Sequence, residues 1–190
     1  LLPAVVLGFA GLLVADLDGT LRSRALGVTP GVRDAVARAR AGGVRVCVAT
    51  GRMWPSAAPW VARLGVDSPA ILYNGGQVLD FATGRVLWER RLPRAVAREA
   101  LALVRRESEA RIHLYVDDRV YVERPDPLTA AYAADDGVSV EVVPALGPLV
   151  ENVGLAHPAL VIRHFAQLAS LVGGERVVAG IGAGWNGEEF

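Results

Sequence analysis

The sequence predicts an α/β protein built on a doubly wound parallel sheet. Three short apolar runs, at residues 11–15, 44–49 and 70–73, have the length and composition of buried strands. Each run ends in a small polar or glycine cluster, and helical patterns fill the segments between them. Alternating strands and helices are typical of a parallel sheet, whose ligands bind beyond the carboxyl ends of its strands. We therefore expect one crevice at that edge of the sheet.

The first predicted helix has clear signals at both ends. Thr29 is a suitable N-cap, Pro30 suits the first helical position, and Gly42-Gly43 closes the helix. Its apolar face is predicted at positions 32, 35, 36 and 39. A second helix is predicted over residues 56–64, despite the prolines at 55 and 59.

The later part of the chain is predicted to form a hairpin, a helix and two further strands. Residues 77–91 form a hairpin pattern around Thr83-Gly84, and residues 93–108 an amphipathic helix. Residues 112–122 form two strands around a turn at Asp117-Asp118. Asp135-Asp136-Gly137 is predicted as a turn at the end of a helix.

Two acidic residues follow the first apolar run. Side chains at positions i and i+2 share one face of a strand, so Asp16 and Asp18 can converge on one small volume. Two close carboxylates repel each other, which raises one pKa and prepares a division of roles between a nucleophile and a proton donor. Gly19 permits a tight turn directly afterwards.

Composition excludes several classes of protein. The 190 residues carry a formal net charge of zero, and the basic residues are scattered, so we expect no nucleic-acid partner. The apolar first fifteen residues are too short for a membrane span and lack the basic start of a signal peptide. The lone Cys47 indicates a buried residue in a reducing compartment. These features predict a cytoplasmic protein without a membrane partner.

Three motifs, in this order and spacing, resemble those of the haloacid dehalogenase superfamily, in particular its Cof-type sugar-phosphatase branch. The motifs are Asp16-Leu17-Asp18-Gly19-Thr20-Leu21, Ala49-Thr50-Gly51-Arg52 and Asn74-Gly75-Gly76. The resemblance extends over about residues 11–143 and implies a Rossmann-like core at 11–80. It also implies the first half of an α/β cap, which selects the substrate, at 81–145.

The resemblance implies a magnesium-dependent phosphatase acting on a small phosphomonoester such as a sugar phosphate. Asp16 would attack phosphorus to give an aspartyl phosphate, and Asp18 would act as acid and then as base. Magnesium, held by Asp16 and Asp18, would offset the repulsion between carboxylate and phosphate. Thr50 and Gly51 would bind the phosphate, with Arg52 and Asn74 near the substrate.

The sequence departs from the family pattern in two ways. All twenty basic residues are arginine, so the family's lysine is missing, and its later G-D-x-x-N-D motif is also absent. Residues 146–190 are predicted as an atypical helix-strand segment, with a helical pattern from His157-Pro158 to Leu171 and a strand at 176–181. Of these, residues 157–190 resemble a fragment of a luciferase-like monooxygenase. We therefore expect a phosphatase that is incomplete in this chain. A flavin- or deazaflavin-dependent oxidoreductase fragment and a non-catalytic remnant stay open as alternatives.

Overall fold

The computed structural model describes residues 11–106, 112–152 and 161–162, which fall into two compact units. The units divide between Glu89 and Arg90. The hairpin predicted at residues 77–91 crosses the expected boundary between core (11–80) and cap (81–145). In the structure both of its strands lie in the first unit. The reason is strand pairing, since residues 77–79 pair with the strand at 70–72 and in turn with residues 86–89.

Over its described residues, the first unit is a five-stranded sheet with two α-helices. Its elements are β1 (Leu12–Asp16), α1 (Pro30–Ala41), β2 (Arg45–Ala49), α2 (Trp54–Leu64), β3 (Ala70–Leu72), β4 (Gln77–Leu79) and β5 (Val86–Glu89). The strand order is β1-β2-β3-β4-β5, with β1 to β3 parallel and the last two pairings antiparallel. The two helices contact each other, which places both on one face of the sheet.

The local signals of α1 are confirmed, with one exception. Thr29 accepts a hydrogen bond from the backbone N–H of Val32, and Pro30 is the first helical residue. Val36 is buried, but Ala35, which was predicted on the same apolar face, is exposed. The buried stripe is narrower than the sequence pattern because only the side of α1 that faces the sheet and α2 is covered.

β1 is less buried than its apolar composition predicts. Every residue from Leu13 to Asp16 is half-buried and Leu12 is exposed. Among the described strands β1 lies at the edge of its sheet, so only one side is covered by a neighbour. In contrast, Val46 and Val48 of β2 are fully buried because β2 lies between two strands.

The part of the second unit that the structure describes is a four-stranded sheet with three α-helices. Its elements are α3 (Arg94–Val104), β6 (Ile112–Val116), β7 (Arg119–Val122), α4 (Pro127–Asp136), β8 (Val140–Val142), α5 (Gly147–Asn152) and β9 (Val161–Ile162). The strand order is β8-β7-β6-β9, in which β7 and β8 are parallel. Successive side chains of β6 point to opposite faces of the sheet. Leu114 and Val116 join the core cluster formed with α3, whereas His113 and Tyr115 contact α4.

One of two turns predicted in the second unit is confirmed in full. Asp117 and Asp118 both have positive φ and connect β6 to β7. At the second turn, Gly137 ends α4 in the left-handed conformation, but Asp135 and Asp136 are the last two residues of that helix, and Asp136 is buried.

The chain after residue 152 is described only at residues 161–162. These residues, which were predicted to be helical, instead form β9, because they pair with β6. The rest of the segment at 157–190, whose sequence resembles a luciferase-like monooxygenase, lies outside the described residues.

Candidate active site

Three strands of the first sheet end at the same edge. The parallel register pairs Asp16 with Ala49 and Ala49 with Ile71. The segments that follow β1, β2 and β3 therefore begin side by side. This brings together the predicted acid pair, the Thr50 loop and the Asn74 turn, as expected from a parallel sheet.

The segment after β1 folds back on itself directly. Gly19 has a φ of 78°, a conformation that glycine adopts without strain. Its N–H donates to the carbonyl of Arg22 (2.9 Å), and the Arg22 N–H donates to the carbonyl of Leu17 (2.7 Å). Leu17 is fully buried in the core between the two acids of the motif. The turn is thus fixed both by hydrogen bonds and by an apolar side chain.

Asp16 is the last residue of β1 and is half-buried. Burial raises the pKa of its carboxyl group, the hydrogen bond from the Leu17 N–H to Oδ1 (2.8 Å) lowers it, and the charge of Asp18 raises it; the net direction is upward. The two acids of the motif are therefore near enough to repel each other, as the spacing predicts.

Asp18 is held by two arginine side chains. The guanidinium of Arg52 binds it through two parallel hydrogen bonds, from Nε to Oδ2 (2.6 Å) and from Nη2 to Oδ1 (3.0 Å). Arg22 donates from Nη1 to Oδ1 (2.6 Å). Both arginines are buried, at 6% and 5% exposure for Arg22 and Arg52, whereas the Asp18 side chain is 20% exposed. Two buried positive charges thus meet one carboxylate at the rim of the sheet.

Arg52 is itself oriented by its own segment. Its Nη1 donates to the Ser56 hydroxyl (2.6 Å), and its backbone N–H donates to Oγ1 of Thr50 (3.2 Å). Ser56 lies in the first turn of α2 and is buried. These contacts explain how a long side chain keeps one direction in the site.

Thr50, Gly51 and Asn74 form a second group at this edge. The Asn74 N–H donates to the Thr50 carbonyl (3.2 Å), which ties the turn after β3 to the loop after β2. A Cβ atom on Gly51 would lie 2.7 Å from Oδ1 of Asn74. Asn74 has a φ of 54°, a left-handed conformation that asparagine tolerates better than most residues. The Asn74 side chain therefore packs directly on Gly51, and a larger residue at position 51 would displace that side chain.

Sequence reasoning missed three residues of this site: Arg22, Ser56 and Trp60. Arg22 follows Asp18 by four positions, which is a weak signal for an ion pair outside a helix. Ser56 lies four residues after Arg52 and meets it within one segment, whereas Trp60 of α2 meets Arg22 only because α2 packs beside the turn after β1.

No group of three or more His, Cys, Asp or Glu side chains that could hold a metal ion occurs in the described part of the chain. The acid pair offers hard oxygen donors instead. Magnesium commonly keeps several waters and binds through one or two carboxylates, so this pair fits its coordination. Within the described ranges no helix has the length and apolar character needed to cross a membrane.

The fold and the site define a class of protein: an α/β protein with catalytic acidic residues at the carboxyl ends of parallel strands. A family model of haloacid dehalogenase-like hydrolases matches residues 13–142. The chain belongs to this family.

The relatives that match this chain are longer than it is. Pyridoxal phosphate phosphatase YbhA of Escherichia coli is 35% identical over 115 residues, which are 60% of this chain and 41% of that protein. This chain thus spans less than half the length of that relative.

Solved structures share the fold. A Thermotoga maritima protein, TM0651, is 24% identical with a TM-score of 0.66, covering 86% of this chain and 61% of that one. BT1666 of Bacteroides thetaiotaomicron, described among phosphatases of the superfamily, is 26% identical with a TM-score of 0.60, covering 76% of this chain and 52% of that one. The luciferase-like resemblance of residues 157–190 finds no support in these matches.

Proposed function

We propose that this chain carries the nucleophile half of a phosphatase that hydrolyses a small phosphomonoester. The observation that carries the proposal is the acid pair at the sheet rim, beside two buried arginines, in a member of a hydrolase family. A phosphatase relative with 35% identity supports the same reaction class. The chain spans only part of that relative, so the activity is proposed for the site and not taken over from the relative.

Asp16 acts as the nucleophile in this proposal. One of its carboxylate oxygens attacks phosphorus, the ester P–O bond breaks, and the leaving oxygen takes a proton from Asp18 to give the alcohol. Asp18 then removes a proton from water, which attacks the aspartyl phosphate and releases inorganic phosphate and the Asp16 carboxylate. Each acid ends the cycle in its starting state.

Arg52, Thr50 and the loop around Gly51 bind the phosphoryl group. The Arg52 guanidinium matches a phosphate in bidentate geometry as well as it matches Asp18. A phosphate dianion therefore competes with Asp18 for this side chain, and loss of that contact allows the Asp18 carboxylate to take up from water the proton that it passes to the leaving oxygen. Thr50 donates its hydroxyl hydrogen while its oxygen accepts from the Arg52 N–H.

Magnesium fits this site through Asp16 and the backbone carbonyl of Asp18. When bound, it supplies positive charge that offsets repulsion between the nucleophile and the phosphate. Asp16 is half-buried at the end of β1 beside a second acid, a position at which a cation would offset the repulsion between the two carboxylates.

The test is hydrolysis of p-nitrophenyl phosphate and of pyridoxal 5′-phosphate by the 190-residue chain, with magnesium and with EDTA. Magnesium-dependent turnover that Asp16→Asn abolishes is the expected result. Asp67→Asn is the matched control, because Asp67 is an exposed acid just before β3, at the opposite edge of the same sheet. Turnover that survives Asp16→Asn removes the nucleophile assignment, and a chain without any turnover is a non-catalytic remnant.

A further inference from the structure

Both the backbone and the side chain of Arg22 are held by specific contacts. Its backbone N–H and carbonyl both make hydrogen bonds within the turn after β1, to Leu17 and Gly19. Its side chain is 7% exposed and lies against the ring of Trp60, with the guanidinium carbon 4.5 Å from the ring centroid. A guanidinium over an aromatic face is attracted by the ring and keeps its planar orientation.

Trp60 is held in place from several sides. It lies on α2, and the guanidinium carbon of Arg63 is 4.7 Å from the same ring. The turn at Ser23 and Gly27, closed by two backbone hydrogen bonds of 2.8 and 2.9 Å, packs against the ring: a Cβ on Gly27 would lie 3.1 Å from it. Trp60 therefore contacts two arginines, of which Arg22 also binds Asp18.

The two arginines on Asp18 have different surroundings. Arg52 approaches in a bidentate fork that a phosphate also fits, so substrate competes for it. Arg22 donates to Oδ1 and is fixed by its backbone and by Trp60. When Arg52 turns to a phosphoryl oxygen, a carboxylate that depended on Arg52 alone would lose its orientation.

We propose that Arg22, supported by Trp60, is a positioning residue that keeps the Asp18 carboxyl group in place while Arg52 binds the phosphoryl group. The inference rests on the proposed phosphatase function for its kinetic consequence. The Trp60 ring is the platform that keeps the guanidinium of Arg22 aimed at Oδ1. Misplacement of a reacting group by about 1 Å costs on the order of 100-fold in rate, which sets the scale of the effect.

The experiment compares Arg22→Met with Arg63→Met. Both variants keep an apolar stem against Trp60, but only the first removes a partner of Asp18. With p-nitrophenyl phosphate, Arg22→Met is expected to lower kcat about 10- to 100-fold with KM changed less than about 3-fold. Arg63→Met is expected to keep both constants. Equal losses in the two variants, or an unchanged kcat in Arg22→Met, would overturn the proposal.

Guanidinium rescue separates a positioning role from a structural one. In Arg22→Ala, guanidinium chloride at low, non-denaturing concentration is expected to restore part of kcat, whereas sodium chloride at the same ionic strength is not. Rescue by both salts, or by neither, contradicts a role for the guanidinium group itself.

A stability cycle distinguishes failure of this proposal from failure of the phosphatase assignment. The effects of Arg22→Met and Asp18→Asn on the unfolding midpoint are expected to be non-additive, while those of Arg63→Met and Asp18→Asn add. If the chain shows no turnover but the effects of Arg22→Met and Asp18→Asn are non-additive, the proposed reaction is rejected and the contact between Arg22 and Asp18 is retained. Additivity in both cycles rejects Arg22 as the residue that holds Asp18.

Discussion

Asp18 and Arg52, which are thirty-four residues apart in the chain, are joined by two parallel hydrogen bonds of 2.6 and 3.0 Å at the rim of the first sheet. The pair links the turn after β1 to the loop after β2. It also joins the predicted proton donor to a predicted phosphate ligand, so the two roles are coupled through one contact.

Replacement of Arg52 by lysine is expected to reduce activity strongly. An ammonium group keeps the charge but cannot bind both oxygens of Asp18 and Ser56 together. We expect kcat/KM for p-nitrophenyl phosphate to fall about 10- to 100-fold, equivalent to the loss of about 1.4–2.7 kcal/mol. Arg45→Lys, at an exposed position at the start of β2, is the control. A fall of similar size in the control would show that arginine content, not this contact, matters.

Replacement of Gly51 by alanine is expected to change the site more than the stability. The new Cβ would meet Oδ1 of Asn74 at 2.7 Å, and this atom is the end of an exposed side chain that can turn away. We expect a change of less than about 1 kcal/mol in the free energy of unfolding. A shift of the Asn74 side-chain amide signals in the NMR spectrum should accompany it. In the Asn74→Gly background, which has no side chain to displace, the same replacement should leave activity unaltered relative to that background.

Replacement of Asp16 by asparagine is expected to stabilise the metal-free chain at neutral pH. The pKa of Asp16 is raised, chiefly by burial, so the group favours folding only at low pH and this contribution is lost as pH rises through the folded pKa. The gain is at most about 1 kcal/mol because the carboxyl is half-exposed, or about 2–4 °C in Tm for a chain of this size. The difference should vanish at pH 3, where wild-type Asp16 is protonated.

Magnesium is expected to stabilise the wild type relative to Asp16→Asn, which is the opposite of the order expected for the metal-free proteins. Added magnesium is expected to raise Tm of the wild type and to leave Tm of Asp16→Asn unchanged, because binding to the folded state alone stabilises it. An equal rise in both proteins would place magnesium elsewhere on the chain.

Tyr132 should make the second unit sensitive to alkaline pH. Its hydroxyl accepts from Tyr115 (2.8 Å), and burial raises its pKa far above the ordinary value, with Tyr115 and Asp136 adding to the shift. A raised pKa supports folding below about pH 10, the unfolded value, and this support is lost at higher pH. We expect the free energy of unfolding to fall above that pH.

Tyr132→Phe tests this origin. The variant should be about 1 kcal/mol less stable at pH 7, since it leaves a buried hydrogen-bonding group without its partner, and its stability should depend less on pH above 10. Tyr121→Phe, which also removes one hydroxyl from the second unit, should keep the wild-type pH dependence. A wild-type slope in Tyr132→Phe would assign the alkaline effect to another group.

Local patterns determined most of the secondary structure. Thr29 and Pro30 start α1, Gly137 ends α4, and Asp117-Asp118 forms the turn between β6 and β7, as predicted. Such signals work from sequence because the interacting atoms lie within a few residues of each other. The convergence of Asp16 and Asp18 could be predicted for the same reason, because strand geometry places residues i and i+2 on one face.

Only the tertiary structure decided which side chains meet. The pairing of Asp18 with Arg52, the support of Arg22 by Trp60 and the packing of Gly51 against Asn74 depend on strand register and on how α2 lies beside the first turn. The exposure of Ala35 and the strand at residues 161–162 depend likewise on neighbours distant in the chain. Sequence periodicity fixes which side of an element is apolar, but contacts across elements arise only when the sheet aligns their ends.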